Sequence, residues 1–219
     1  AARDKTVHAN VRQPILVAAF TRALLLDRDD VAEELLPAMR AVYPTLAPRL
    51  ERWRTASGPS RRFAAIDLIV HAPALRAYIP PLTIPRTDPE EVWHTRNRDT
   101  NWWCRDGLQY WEARYPDSFK PQPIAPPLFL DSNEAERAAL RALGSGSTWM
   151  LRSTMNWART APKDRRVPEA LAMAVQGTRW GCADDETAKL SQAAFNLLHA
   201  QYPNSQWARE TKYWYTGRD

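Results

Sequence analysis

The sequence predicts an all-α protein of stacked antiparallel helical hairpins, with proline-rich segments laid across them as ordered straps. Apolar residues recur at intervals of three and four along most of the chain, while the alternating pattern of β-strands is nearly absent. Glycine is scarce, with 7 residues, and proline is abundant, with 18. The 219 residues suffice to bury a core without disulfide or metal support, and no apolar run is long enough for a membrane span.

Four amphipathic helices are predicted before the first proline-rich stretch. Acidic residues at 27, 29 and 30 offer a cap and an acidic first turn for the second of them. Pro37 is expected to kink or split that helix, and Ser60 is expected to cap the fourth. The predicted helices are 11–26, 31–42, 47–55 and 61–71.

The middle of the chain differs, because prolines cluster at 79–89 and 116–127 and exclude regular helix there. Helices return near residue 133, so three regions are expected: N-terminal helical hairpins at 1–78, a proline- and tryptophan-rich connecting region at 79–130, and C-terminal helices at 131–219. Predicted helices in the second and third regions are 100–115, 133–143, 148–159, 167–180 and 186–202, with a last turn at 207–215.

The aromatic region between the proline-rich stretches is the candidate binding surface. Its tryptophans alternate with arginines, and such groups could stack on sugar rings or hold a peptide. The other interpretation is a packed cluster that fixes the straps to the helices, since tryptophan at helical spacing usually packs. The residues predicted for partner binding are Trp93, Trp102, Trp103, Arg105 and Trp111.

No motif of a known catalytic or metal chemistry occurs in the sequence. It holds neither an HExxH pattern nor a Gly-x-Ser-x-Gly elbow. The acidic run 184–186 precedes a helix and is explained as a cap with an acidic first turn. His199 lies on an apolar helix face, where a core or capping role is expected. We therefore predict no catalytic residue, no metal site, no cofactor and no enzymatic activity.

The basic residues do not predict nucleic-acid binding. The net charge is only +5, and 25 of the 30 basic residues are arginine. The adjacent pairs Arg61-Arg62 and Arg165-Arg166 are too short and too far apart for a nucleic-acid stripe. Protein partners are expected instead.

The two cysteines, Cys104 and Cys182, leave two alternatives open. A bond between them would close a loop of roughly 78 residues, worth about 4 kcal/mol in the chain-entropy description. Two reduced thiols would instead pack as small apolar side chains.

Small residues and a terminal Tyr-Pro pair mark the last quarter of the chain. Ala170, Ala174 and Ala194 allow close helix approach, and a helix ends at the stretch YPNS, residues 202–205. This pattern resembles the tetratricopeptide-like hairpins of bacterial periplasmic and outer-membrane-associated proteins. The spacing of about 41 residues between the prolines at 162 and 203 departs from the usual period of about 34.

Residues 165–215 also resemble the C-terminal end of large uncharacterised exported bacterial proteins rich in helical repeats. In those, a stretch like NWWC at 101–104 and one like RWGC at 179–182 recur together. The resemblance implies tetratricopeptide-like, solenoid-like stacking and a Cys104–Cys182 disulfide. Such a bond implies a periplasmic or extracellular location. A polar start without a signal segment or initiator Met indicates a processed product or a fragment.

The function expected from these features is a non-catalytic helical-repeat scaffold. It would serve as a partner-binding subunit of a larger exported bacterial assembly, at the periphery of the cell envelope. The alternative is a glycan- or peptidoglycan-binding helical module of an enzyme whose catalytic domain lies outside this chain.

Overall fold

The computed structural model of the protein describes residues 9–72, 75, 77, 134–179 and 182–217. Within these ranges all regular structure is helical, and no β-strand occurs. The prediction of an all-α protein is confirmed for this part of the chain. The helices are α1 (Ala9–Leu25), α2 (Asp29–Val42), α3 (Ala47–Thr55), α4 (Gly58–His71), α5 (Glu134–Ala142), α6 (Gly146–Thr160), α7 (Val167–Gly177), α8 (Thr187–Gln201) and α9 (Gln206–Glu210), with a 3-10 turn at Pro44–Leu46 before α3.

Two prolines have effects that the sequence pattern misjudges. Pro37 lies within α2 with its side chain exposed, and the helix is not split there. The fourth helix starts at Gly58, not after Ser60. Pro59 occupies its first turn, where the missing N–H has no helical partner to lose.

Serine side chains begin two of the C-terminal helices. Ser145 Oγ accepts the N–H of Thr148 at 3.2 Å, so α6 starts two residues before the predicted position. Ser205 Oγ accepts the N–H of Ala208 at 3.1 Å and starts α9. Each bond satisfies one of the four donors that a helix start leaves unpaired.

Consecutive helices pack in pairs, as helical hairpins do. Helix α1 packs on α2, α3 on α4, α6 on α7, and α7 on α8. Helix α4 also contacts α6 and α7, and this contact joins the N-terminal helices to the C-terminal ones. Helix α5 is fixed to the N-terminal helices by Glu136, which pairs with Arg22 at 3.1 Å and Arg28 at 3.4 Å.

One continuous hydrophobic core runs through both groups of helices. Two of the ten tryptophans, Trp53 and Trp157, lie fully buried in it. The ring of Phe20 meets Trp53 edge to face, with centroids 6.0 Å apart. Aromatic rings are the largest apolar surfaces a core can bury, so these residues anchor the packing.

The predicted helical turn at 207–215 is wrong beyond α9. The helix ends at Glu210, and Thr211 has extended backbone angles, φ −90° and ψ 91°. Residues 211–217, called the 211–217 segment below, adopt no regular secondary structure. Their run of aromatic and β-branched residues has low helix propensity, and contacts with α8 hold them in place.

The proline-rich straps at 79–130 and the predicted helix at 100–115 lie outside the described residues. The boundaries of the three expected regions therefore stay predictions. Among the helices described, none combines the length and apolar character needed to cross a bilayer.

Candidate functional site

Helix α8 carries a stripe of three side chains, Ser191, Phe195 and His199, called the α8 stripe below. They follow one another at intervals of four residues, so they lie along one face of the helix. Ser191 is fully buried, and the other two side chains are partly buried. The rings of Phe195 and His199 touch, with centroids 4.2 Å apart. The stripe therefore presents a hydroxyl, a phenyl ring and an imidazole in a row.

The α8 stripe binds the 211–217 segment at three successive points. His199 Nε2 donates a hydrogen bond to the carbonyl oxygen of Thr211 at 2.9 Å. The Phe195 ring packs against the indole of Trp214, with centroids 5.0 Å apart. Ser191 Oγ accepts the backbone N–H of Tyr215 at 3.0 Å. The segment therefore runs antiparallel to α8, and two of the three contacts are to its main chain.

The distance between the contacting residues on α8 matches the distance between their partners on the 211–217 segment. Eight residues of helix, from Ser191 to His199, span about 12 Å at 1.5 Å per residue. Four residues of fully extended chain would span about 13 Å at 3.3 Å per residue, so the contacts at Thr211 and Tyr215 require the chain between them to run nearly extended. A helix with functional groups at every fourth position can thus contact an extended chain at each end and in the middle without distorting either.

Further contacts hold the 211–217 segment at Thr211, Tyr213 and Gly217. Gln176 on α7 donates to Thr211 Oγ1 at 3.5 Å, and Thr211 is only 2% exposed. The guanidinium of Arg179 lies over the ring of Tyr213, 4.3 Å from its centroid, in cation–π geometry. At Gly217, φ is +74° and an added Cβ would lie 3.3 Å from that of Ala188. A close approach to α8 and a left-handed backbone both favour glycine there.

An open groove of ≈ 470 Å³ lies between the segment and the start of α8. On the helix side it is lined by Lys189 and Gln192, which are both exposed. The other side is formed by residues of the segment itself. The groove continues the surface that the segment covers, and its lining includes Ala188, Lys189, Gln192, Trp214, Tyr215 and Thr216.

A polar cluster centred on the buried side chains of Asp67 and His71 joins α3, α4 and α7. Asp67 is 2% exposed and pairs with Arg49 at 3.1 Å and Arg52 at 3.0 Å. His71 Nδ1 donates to the Asp67 carbonyl oxygen at 2.8 Å, and its Nε2 lies 3.3 Å from Glu169 Oε1. Both ring nitrogens thus face oxygen acceptors. The imidazole links α4 to α7 across the junction of the two helix groups.

Electrostatics reinforce this junction. The hydrogen bond with His71 lowers the pKa of the Glu169 carboxyl, and this effect outweighs burial, which raises it. The positive charge of Arg49 lowers it further. Ion pairs and hydrogen bonds thus hold each charged group of the cluster to a neighbouring helix. Across the described ranges, no group of three or more His, Cys, Asp or Glu side chains is placed to hold a metal ion.

Asp184 forms a third network that ties the start of α8 to the start of α6. Its carboxylate accepts hydrogen bonds from the Ser145 backbone at 3.0 Å, from Thr148 Oγ1 at 2.6 Å and from Thr187 Oγ1 at 3.1 Å. Burial raises the pKa of Asp184, but these hydrogen bonds outweigh it and lower the pKa overall. The sequence predicts a capping role for the acidic run. The structure adds that Asp184 also holds a second helix.

The residues predicted from the sequence to bind a partner lie outside the described part of the chain. These are Trp93, Trp102, Trp103, Arg105 and Trp111, and Cys104 lies there too. Cys182 is described: it is buried, with 7% of its surface exposed, and it is not a free thiol. The pairing of Cys104 with Cys182 and the partner-binding role of the aromatic cluster stay predictions.

Sequence reasoning does not find the α8 stripe. The Phe195 ring packs on Trp214 of the 211–217 segment, and no local sequence pattern indicates this contact. The signal for the site is the four-residue spacing of Ser191, Phe195 and His199, followed by a run of aromatic residues in a segment of low helix propensity.

No protein-family model, no curated protein and no solved structure matches this chain.

Proposed function

We propose that the protein is a non-catalytic helical scaffold that binds protein partners as a subunit of a larger, exported bacterial assembly. The observation that carries this proposal is the seat of the 211–217 segment on the α8 stripe, where a helix face binds an extended chain largely through its main chain. Proteins also recognise extended peptides of their partners through hydrogen bonds to the peptide main chain, while side-chain pockets supply specificity.

The pairing of consecutive helices supports the scaffold part of the proposal. Tetratricopeptide-like proteins stack helix pairs so that loops and helix faces line an extended binding surface. Most of the described helices contact the helix that precedes or follows them in sequence, which supports this part of the proposal. We further propose that the helices stack as they do in tetratricopeptide-like proteins. The aromatic cluster from Trp93 to Trp111 would form a second contact surface.

The exported location rests on the resemblance and on the cysteines. A Cys104–Cys182 disulfide persists only in an oxidising compartment. Cys182 is not a free thiol, which supports the bond. The periplasm or the extracellular space is therefore the proposed compartment.

Size and cross-linking of the native protein test the proposal. We expect it to elute as a stable complex well above its own mass of 25.1 kDa. Cross-linking followed by mass spectrometry should join a distinct second protein to the chain in fixed stoichiometry. A protein that elutes as a monomer and cross-links to nothing contradicts the proposal.

A glycan titration separates the scaffold from the glycan-binding alternative. A glycan module would show quenching of tryptophan fluorescence on addition of peptidoglycan fragments, and Trp102→Ala or Trp103→Ala would abolish it. The scaffold predicts unchanged fluorescence in the wild-type chain and in both variants.

A further inference from the structure

We propose that the α8 stripe is a receptor for an extended, tryptophan-bearing segment of a partner protein, and that the 211–217 segment is a built-in competitor that occupies it. The inference rests on the proposed function and deepens it, because it names the surface, the chemistry of the ligand and the element that regulates access.

The contacts of the 211–217 segment define the ligand. A backbone carbonyl must meet His199, an indole must reach Phe195 three residues later, and a backbone N–H must meet Ser191 one residue after that. The side chains of Lys212 and Tyr213, which lie between these contacts, are exposed. The stripe therefore places few requirements on the residue types at these two positions. Any extended segment with one correctly placed tryptophan satisfies this pattern.

We expect that the 211–217 segment can leave the α8 stripe and be replaced there by a ligand. Thr211 is its only buried residue, and Trp214 and Tyr215 are partly buried. No backbone-to-backbone hydrogen bond ties residues 212–217 to the rest of the described chain. Helix α8 is also held by its packing on α6 and α7, and it contributes the buried side chains of Ala194 and Leu198 to the core. Local opening of a surface segment with one buried residue requires less free energy than unfolding the core.

Tethering explains how an easily opened segment still controls access. A short covalent link holds it near the stripe at an effective concentration in the millimolar range. A free ligand must outcompete this local concentration, so its apparent affinity for the intact chain is reduced. Weakening the segment without touching the stripe should therefore raise the affinity for a ligand added in solution.

A labelled peptide with the sequence of residues 210–217, ETKYWYTG, tests this on the full-length chain. Its binding is followed by fluorescence anisotropy with wild type and with Trp214→Ala, which removes the indole of the competitor. We expect Trp214→Ala to bind the peptide at least about tenfold more tightly than wild type. Adding Phe195→Ala to this variant should abolish binding, and a peptide with alanine in place of tryptophan should not bind.

Lys212→Ala is the matched control, since Lys212 is exposed and lies between the residues of the segment that contact the stripe. It should leave peptide affinity near that of wild type. Equal peptide affinity for wild type and Trp214→Ala, with unchanged circular dichroism, would overturn the proposal. So would peptide binding that survives Phe195→Ala.

The outcomes separate the inference from the proposed function. If a native complex with a partner protein exists but the peptide does not bind Trp214→Ala, the inference alone fails. If the peptide binds as expected but no partner complex is found, the scaffold function fails. A wild-type chain that dimerises with concentration, and loses the dimer on Phe195→Ala, overturns the foreign partner and makes the ligand the segment of a second copy.

Discussion

The rings of Phe63 and Trp157 stack almost in parallel, with centroids 5.4 Å apart and planes 11° from coplanar. Phe63 lies on α4 and Trp157 on α6. The contact therefore joins a helix that precedes the proline-rich region in the sequence to one that follows it. Both rings are buried, Trp157 completely. The stack and the separate contact of His71 with Glu169 join the two helix groups, which share a single hydrophobic core.

Phe63→Ala should therefore destabilise the whole described fold. A buried phenylalanine replaced by alanine typically costs about 3–5 kcal/mol, from lost burial and the cavity left behind. Urea denaturation should show a lower midpoint and one transition by both fluorescence and circular dichroism. The exposed Tyr213→Ala should change stability by less than about 1 kcal/mol. Two separate transitions in wild type would contradict a shared core.

Asp67→Asn should cost far more stability than Glu51→Gln. Each carboxylate pairs with two arginines, but Asp67 is buried and Glu51 is 41% exposed at its side chain. Removing one partner of a buried ion pair leaves charges uncompensated and costs about 3 kcal/mol or more. An exposed pair contributes less than about 1 kcal/mol. Urea midpoints of the two variants decide the comparison, and equal losses would contradict it.

Asp184→Asn should reduce the acid sensitivity of the fold. The folded pKa of Asp184 lies below its ordinary value of 3.8, so its carboxylate stabilises the fold above that pH. This contribution is lost as pH falls through the folded pKa. The variant should be less stable than wild type at pH 7 by about 1–2 kcal/mol, and the difference should shrink at pH 2.5. Exposed Asp185→Asn is the control and should show no such pH-dependent difference.

Two glycines with left-handed backbones should respond differently to alanine. At Gly144, φ is +82° and a Cβ would lie 3.1 Å from Asp184 Oδ2. At Gly58, φ is +52° and a Cβ would meet nothing within 4 Å. Gly58→Ala should cost only the backbone penalty of about 1 kcal/mol, whereas Gly144→Ala should cost more and also weaken the Asp184 network. Thermal unfolding of the two variants measures the difference.

The cysteine pairing is testable by intact mass. We expect native protein treated with an alkylating agent to gain no label before reduction and two labels after it. A peptide linked through Cys104 and Cys182 should appear in the unreduced digest. Reduction should also lower stability, by about 4 kcal/mol in the chain-entropy description. Labelling of both thiols without reduction would contradict the bond and the exported location.

Helix positions were largely predictable because they depend on local patterns. The apolar spacing that predicts 61–71 also sets the buried face of α4, and only its start is misplaced, by Pro59 in the first turn. The extended course of residues 211–217 was not predictable in this way. Trp214 continues the apolar spacing of the last turn, but its contact with Phe195 is tertiary and overrides that pattern.

The contacts within the polar clusters are even harder to predict from local sequence patterns. His71 and Glu169 are about 100 residues apart in sequence, and nothing local to either indicates the other. Asp184 is predictable as part of a capping run, yet its bonds to Ser145 and Thr148 depend on how two hairpins dock. Sequence patterns thus locate elements and caps, while the contacts between hairpins require the fold.

The stacking of Phe63 on Trp157 also has a consequence for synthesis on the ribosome. Helices α1 to α4 contact mostly their sequence neighbours, so they can assemble while translation continues. Trp157 is added about 90 residues after Phe63, a delay of roughly 5–20 s at ordinary elongation rates. During that interval the apolar face of α4 has no α6 to cover it. Until residue 157 has been added, the nascent chain therefore exposes apolar surface that favours aggregation.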